Sequence, residues 1–94
     1  MTFEADHKLQ LKVDDVVSRE VEDELVILEL STSTYMTLNG SGKYLWERLV
    51  DGSTLDDLVS SLVDRYSITS EQARADVESF VAELDDRELI AHDA

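Results

Sequence analysis

The sequence contains no cysteine and only 2 histidines. The lack of cysteine excludes disulfides, thiolate metal sites and cysteine nucleophiles, and it suits a reducing compartment. His7 and His92 lie near opposite ends of the chain, so a histidine base or a metal site would need both termini to meet a third ligand. We therefore expect no metal, no cofactor and no catalytic residue.

Basic residues are scarce. The chain has 8 lysines and arginines against 22 aspartates and glutamates, a formal net charge of -14. This charge repels the phosphates of nucleic acids and anionic membrane surfaces, and it predicts a neutral or basic partner. There is also no apolar run long enough to span a bilayer, and Met1 to Gln10 lacks the pattern of a secretory signal. These absences predict a soluble, cytoplasmic protein with no nucleic-acid or membrane partner.

The length of 94 residues fits one domain, 1–94, whose working surface is on the outside rather than in an enclosed active site. Residues 1–12 show little periodicity, and we expect them to be a flexible lead-in. Within and just after this segment, Leu9, Leu11 and Val13 alternate as in a short edge strand.

Strand patterns fill the next part of the chain. Val16–Val21 and Leu25–Leu30 are rich in β-formers and flank a polar turn. A hydroxyl-rich connection then leads to a third strand at Tyr35–Asn39. Alternation along this strand places Met36 and Leu38 on the face toward the helices.

Helix patterns fill the rest. Ser41, Thr54 and Thr69 are placed to cap three helices. Gly52 is placed to end the first helix in a left-handed conformation. The apolar tail at 88–90 is expected to pack back on the domain. Trp46, Phe80 and Tyr66 are expected in the core, at helical spacing. The predicted fold is α+β, a three-stranded antiparallel sheet followed by three helices, similar to a winged helix-turn-helix.

An ordered set of residues runs through these elements. It includes Tyr35-x-Thr37-Leu38-Asn39-x-x-Gly42-x-x-Leu45-Trp46-x-x-Leu49-x-x-Gly52, then Leu55-x-x-Leu58-Val59, Tyr66, Asp76-Val77-x-x-Phe80-Val81-x-x-Leu84 and Leu89-Ile90. With the strands before it, this set resembles the PqqD-like family of peptide-recognition domains, also called RiPP precursor peptide recognition elements. The resemblance extends from about Val16 to Ile90, and its specificity comes from the order and spacing of ordinary core residues.

The resemblance implies a winged helix-turn-helix fold and a non-catalytic adaptor. Members of the family bind the leader segment of a ribosomally made precursor peptide and present it to a modifying enzyme such as a protease, cyclase or radical enzyme. Stand-alone members of lasso-peptide pathways are numerous, which favours a lasso-type or related natural-product pathway; a pyrroloquinoline-quinone pathway chaperone is the alternative. The protein is expected to be a monomer or weak homodimer.

The same resemblance points to strand addition at the third strand, since an edge strand offers unpaired N–H and C=O groups to an extended peptide. The groove beside the third helix would supply side-chain anchors. The candidate peptide-binding residues are Tyr35, Met36, Thr37 and Leu38 on the strand, Val77 and Val81 as groove floor, and Arg74, Asp76 and Glu78 as groove rim. Core packing remains open for Val77, and a solvent-facing position for Asp76.

Two other classes of protein share some of these features. An acyl-carrier protein is similar in size and acidity, and residues 51–55 faintly resemble its Asp-Ser-Leu attachment site, but carriers lack a strand-rich first third. A winged-helix DNA-binding regulator has a similar architecture. Its recognition helix would here carry Glu71, Asp76, Glu78 and Glu83 against Arg74 alone, which opposes contact with DNA.

Overall fold

The computed structural model describes residues 8–12 and 14–92. In chain order its elements are β1 Lys8–Leu11, β2 Val16–Val21, β3 Glu24–Glu29, β4 Thr34–Leu38, α1 Gly40–Asp51, β5 Ser53–Thr54, α2 Leu55–Tyr66, α3 Ser70–Asp86 and β6 Ile90–His92. The predicted α+β class and the three helices after the main sheet are confirmed.

The main sheet is antiparallel, with strand order β2-β3-β4. Its register pairs Val16 with Glu29 in the first hairpin and Leu28 with Tyr35 in the second. The alternation of exposed and buried residues in β3 and β4 follows from this pairing, because one face of the sheet packs on the helices. β4 is the predicted third strand, although it ends at Leu38, one residue earlier than expected.

A second, smaller sheet has the order β5-β1-β6. β1 lies at its centre, paired with β5 on one side and β6 on the other, and Leu9 is fully buried. The predicted strand near Leu9 therefore exists, but it is not an edge strand, and the expected flexible lead-in does not extend over Lys8–Leu11. Residues 1–7 of that lead-in and Val13 lie outside the described residues.

Two of the three predicted helix caps are confirmed. The hydroxyl oxygens of Thr54 and Thr69 accept hydrogen bonds from the backbone N–H of Asp57 and Gln72, each at 3.1 Å. The prediction that Ser41 caps α1 is wrong. Asn39 holds the cap position with an extended backbone, and its side chain makes no cap hydrogen bond. The helix then begins at Gly40, with φ at 53°, which places Ser41 inside the first turn.

Gly52 ends α1 as predicted, but in a different conformation. Its φ is 92° and its ψ is 137°, so the chain leaves the helix extended, into β5, rather than in the left-handed helical region. A side chain here would also place its Cβ 2.6 Å from Lys8 Cε. Glycine therefore allows both the positive φ at position 52 and the close approach of β1.

One apolar core joins the two sheets and the three helices. Its members with less than 2% exposure include Leu9, Ile27, Leu45, Leu49, Leu55, Leu58, Leu62, Val77, Val81 and Leu84. Each such side chain contributes about 1.5–3 kcal/mol when removed from water. Trp46 is in the core as expected, and Phe80 packs against the core while partly exposed. The prediction that Tyr66 lies in the core is wrong, because at the end of α2 it is 39% exposed. Leu89 and Ile90 bring the tail back onto the domain.

Candidate functional site

β4 is an edge strand, since it pairs only with β3 among the described strands. Which of its backbone groups face outward follows from the first hairpin. Only Glu22 and Asp23 separate the paired residues Val21 and Glu24, and residues that flank a two-residue turn direct their N–H and C=O groups at each other. In an antiparallel ladder the direction then alternates with every residue.

The alternation runs through β3 without a break in register. Every second residue from Glu24 onward therefore bonds toward β2, and a hydrogen bond of 2.9 Å from the N–H of Leu30 to the carbonyl oxygen of Asp15 continues that series. Leu25, Ile27 and Glu29 consequently face β4, where their partners are Leu38, Met36 and Thr34.

The remaining β4 residues, Tyr35 and Thr37, direct their N–H and C=O groups away from the sheet. Their side chains lie on the outer face: Tyr35 is 69% exposed, whereas Met36 and Leu38 are each 9% exposed on the inner face. The predicted division of faces in this strand is thus confirmed. Tyr35 and Thr37 together present four main-chain groups that can pair with another extended chain.

Side-chain contacts relate the two ends of β4 to α3 and its C-cap residue Arg87. At one end of the strand, Glu29 Oε2 accepts hydrogen bonds from Thr34 Oγ1 at 3.2 Å and from Arg87 Nη1 at 3.3 Å. At the other end, a Cβ at Gly42 would lie 3.4 Å from Leu38 Cδ2 and 3.7 Å from Phe80 Cε1. The C-terminal end of α3 therefore lies near the start of β4, and Phe80 lies near its end.

A groove of about 320 Å³ opens between α1 and α3, and Gly42 of its lining lies near Leu38 at the end of β4. Its lining residues are Ser41, Gly42 and Leu45 from α1 and Asp76, Ser79, Phe80 and Glu83 from α3. Its apolar surface comes from the partly exposed Phe80, since Leu45 is 1% exposed, and the α3 side carries two carboxylates. Such a groove accommodates an apolar side chain whose neighbour is basic.

The predicted residues of α3 are divided between three places. Asp76 lies on the groove, where its Oδ1 accepts a hydrogen bond of 2.9 Å from Gln72 Nε2. Val77 and Val81 are 0% exposed, so they are core residues and offer no surface to a ligand. Arg74 binds Asp56 of α2 at 3.0 Å, on the flank of α3 that faces away from the groove.

Helix geometry explains this division. Arg74 and Asp76 are two residues apart, which separates their directions by about 200° around the helix. Glu78 is one helical turn from Arg74 and therefore shares its flank. The structure brings Asp76 together with the end of β4, but it does not bring Arg74 or Glu78 there.

The sequence reasoning missed most of the groove. The sequence predicts Phe80 in the core, names Gly42 only within the family pattern and Glu83 only as an acid that opposes DNA contact, and does not single out Ser79. A usable signal was present, because Ser79, Phe80 and Glu83 follow Asp76 at steps of three, four and seven residues, the spacing of one helix face. What the sequence did not supply was the choice of this flank over the flank of Arg74.

The structure also describes the faint carrier-like segment. Ser53, the serine of the faint carrier-like segment, is 7% exposed in β5, where Leu9 of β1 is its strand partner, so it is not presented for attachment of a prosthetic group. Residues 8–12 and 14–92 contain no group of three or more His, Asp or Glu side chains that could hold a metal ion. No helix in this part of the chain is long and apolar enough to cross a membrane.

Comparison with known families places most of the chain in a described family. The family described as coenzyme PQQ synthesis protein D (PqqD) matches residues 24–90, from the start of β3 to the start of β6. Among proteins of curated function, none matches the chain significantly.

Solved structures give two close similarities. "TbiB1 in complex with the TbiA(beta) leader peptide" is 30% identical, with a TM-score of 0.80, over 90% of this chain and 98% of the other. "Lasso peptide synthetase B1 complexed with the leader peptide" is 20% identical, with a TM-score of 0.78, over 88% of this chain and 96% of the other. At that lower identity the second similarity concerns the fold alone.

Proposed function

This chain belongs to the PqqD family, and we propose that it is a non-catalytic adaptor that captures a leader peptide. In this proposal the leader segment of a ribosomally made precursor adds as a strand to the free edge of β4. The adaptor then presents the precursor to a modifying enzyme, such as a protease, a cyclase or a radical enzyme. The observation that carries the proposal is a free strand edge near a groove that contains the partly exposed Phe80.

The strand edge supplies direction and register, but little net affinity. Tyr35 and Thr37 offer four main-chain groups, and each hydrogen bond contributes a net free energy of about 1 kcal/mol. Association costs roughly 4–15 kcal/mol in lost freedom. Side-chain anchors must therefore supply most of the binding free energy.

The groove is where such an anchor would bind. A peptide paired with Tyr35 and Thr37 places its intermediate residue opposite Met36, and side chains opposite each other in a sheet lie on the same face. The intermediate side chain therefore points to the inner face, where Phe80 of α3 lies near the end of β4. An apolar side chain there would cover Phe80 and gain about 25 cal/mol for each Å² removed from water.

Charge would select among peptides of this shape. Asp76 and Glu83 line the groove, and the whole chain has a formal net charge of -14. A basic residue beside the apolar anchor would meet both carboxylates, and a basic leader would also be attracted from a distance. This attraction should weaken as salt is raised.

The pathway is a finer part of the proposal. The leader-peptide complex of TbiB1 is 30% identical to this chain over nearly its whole length, which supports capture of a leader. We favour a lasso-type or related natural-product pathway, with a chaperone of the pyrroloquinoline-quinone pathway as the alternative. The precursor gene beside the gene of this chain distinguishes the two.

The DNA-binding alternative has less support. The α3 flank beside β4 is acidic, and Arg74 is engaged by Asp56 at 3.0 Å. A recognition helix needs basic side chains free to reach phosphates and base edges.

Isothermal titration with synthetic leaders from neighbouring precursor genes tests the proposal. We expect submicromolar binding to one leader, and loss of that binding in Thr37→Pro, because proline removes an outward N–H group and its ring blocks the edge. Thr37→Val, which keeps the N–H group, should bind like the wild type. If folded wild-type protein binds none of the leaders, the adaptor function is wrong.

A further inference from the structure

A cluster of two arginines and two tyrosines lies on α1 and α2, and we call it the arginine patch. The Cζ atoms of Arg48 and Arg65 lie 5.9 and 4.8 Å from the ring centroid of Tyr44. Arg65 is also 5.8 Å from the ring centroid of Tyr66, and the two tyrosine rings meet edge to face at 6.3 Å. Two positive charges are thus held around one aromatic ring.

These arginines differ from others in the protein in what they bind. Arg74 and Arg87 each hold a carboxylate, of Asp56 and Glu29 respectively. Within residues 8–12 and 14–92, Arg48 and Arg65 form no hydrogen bond and no ion pair; their contacts are with the tyrosine rings. In a chain with 22 acidic residues, two adjacent arginines without a carboxylate form a distinct local site of positive charge.

Stacking on the tyrosine rings leaves the N–H groups of each guanidinium available for hydrogen bonds. A cation–π contact engages the face of the guanidinium or its charge, whereas its N–H groups point outward in the guanidinium plane. Those N–H groups match the two oxygens of a carboxylate. The tyrosine rings also restrict the arginine side chains, which reduces the entropy lost when a carboxylate binds.

The arginine patch continues from the groove along α1. Ser41 and Leu45 line the groove, and Tyr44 and Arg48 follow each of them by three residues, which places all four on neighbouring positions of one side of the helix. A peptide that passes the Leu38 end of β4 and crosses the groove therefore reaches Tyr44 and Arg48 next.

We propose that the arginine patch binds carboxylate side chains of the leader, in the segment that extends past the Leu38 end of β4. This inference rests on the proposed function and adds a chemical requirement to it. The leader would carry a basic residue where it meets Asp76 and Glu83 and one or more acidic residues where it meets Arg48 and Arg65. A peptide shifted along β4, or bound in the reverse direction, would bring like charges together, so the two sites jointly fix its register.

The test measures affinity for the leader encoded beside the gene of this chain, labelled and followed by fluorescence anisotropy. Replacing both patch arginines by glutamine should weaken binding about five- to tenfold, in line with two exposed, charge-assisted contacts. Arg19→Gln on β2 is the control: it removes one positive charge, half of what the double variant removes, from another exposed arginine, and it should have little effect. A leader with its acidic residues on that flank changed to amides should bind the wild type and the double variant equally.

Circular dichroism checks that the double glutamine variant folds, and a double lysine variant, which keeps the charge but loses the planar fork, should fall between wild type and glutamine. Binding that Thr37→Pro abolishes but the double variant leaves intact would retain the adaptor function and overturn the arginine-patch proposal. Equal weakening by Arg19→Gln, or an effect that persists with the amide leader, would overturn it as well. If the wild type does not bind the leader, the proposed adaptor function itself is wrong.

Discussion

The main sheet has two edges, β2 and β4, and they differ in what lies beside them. The same alternation that directs Tyr35 and Thr37 outward from β4 directs Val16, Ser18 and Glu20 outward from β2. β2 is the longer strand, with six residues against five, and most of it is exposed. By hydrogen-bonding capacity alone, β2 would be the better site for a peptide.

The side chains around the two strands favour β4 over β2 as the peptide site. β4 has Phe80 of α3 and the groove near its Leu38 end, so a peptide there gains both main-chain bonds and an apolar anchor. The edge of β2 carries alternating charges at Arg19 and Glu20, and Glu20 binds Lys43 of α1 at 3.2 Å. Charged residues of this kind protect an edge from pairing with other chains. The comparison teaches that an exposed edge becomes a binding site only where side-chain anchors accompany it.

Proline substitution at matched positions on β4 and β2 tests most strongly whether only the β4 edge binds the leader. Thr37→Pro and Ser18→Pro each remove one outward N–H group without removing a ladder bond to β3. We expect Thr37→Pro to abolish leader binding and Ser18→Pro to leave the dissociation constant within about twofold of wild type. Titration calorimetry on variants with wild-type circular dichroism measures both. Loss of binding in Ser18→Pro alone would move the peptide site to β2.

The next largest effect is expected from the anchor. Phe80→Ala removes the aromatic floor of the groove and should weaken leader binding at least tenfold, since a well-buried aromatic anchor contributes more than about 1.4 kcal/mol. Val17→Ala, at an exposed apolar position on β2, is the control and should change affinity little. Because Phe80 also packs against the core, affinity is compared at a temperature where thermal melts show both variants fully folded. Wild-type affinity in Phe80→Ala would mean that the anchor lies elsewhere.

A smaller effect is expected from the carboxylates of the groove. The double change Asp76→Asn and Glu83→Gln should weaken binding of a basic leader a few-fold at low salt and reduce the dependence of affinity on salt concentration. Glu78→Gln removes a carboxylate from the opposite flank of α3 and should leave the slope of log Kd against log salt close to that of the wild type. Equal slopes in all three proteins would show that these two carboxylates do not contact the leader.

The sequence predicted those features that depend on local periodicity. Alternation in β4 identified the exposed and buried faces correctly, and the spacing of Thr54 with Asp57 and Thr69 with Gln72 identified two helix starts. Features that depend on distant contacts were not predictable in this way. β1 is central in its sheet because β5 and β6, far along the chain, pair with its two edges.

The candidate site shows the same difference between local patterns, which the sequence predicts, and distant contacts, which it does not. The two faces of β4 were predicted correctly because successive residues of a strand alternate between its faces, and the apolar pair Met36 and Leu38 identifies the buried one. α3 has two polar flanks on either side of its buried stripe, and the sequence does not say which one meets β4. Which flank of α3 meets β4 depends on where α2 packs. The ion pair between Arg74 and Asp56 shows that α2 packs on the flank of Arg74.

The smallest effect on affinity is expected at the predicted groove floor, and it separates packing from binding. Val81 is fully buried, so Val81→Ala should lower the free energy of unfolding by about 2 kcal/mol and the melting temperature by roughly 4–8 °C per kcal/mol. Leader affinity of the folded variant should stay unchanged, because the lost methyl groups face the core and not the groove. Thermal melts and titration at a temperature well below the transition measure the two effects separately. A large loss of affinity with an unchanged melting temperature would return Val81 to the peptide-binding surface, and it would mean that the groove opens more deeply when a peptide binds.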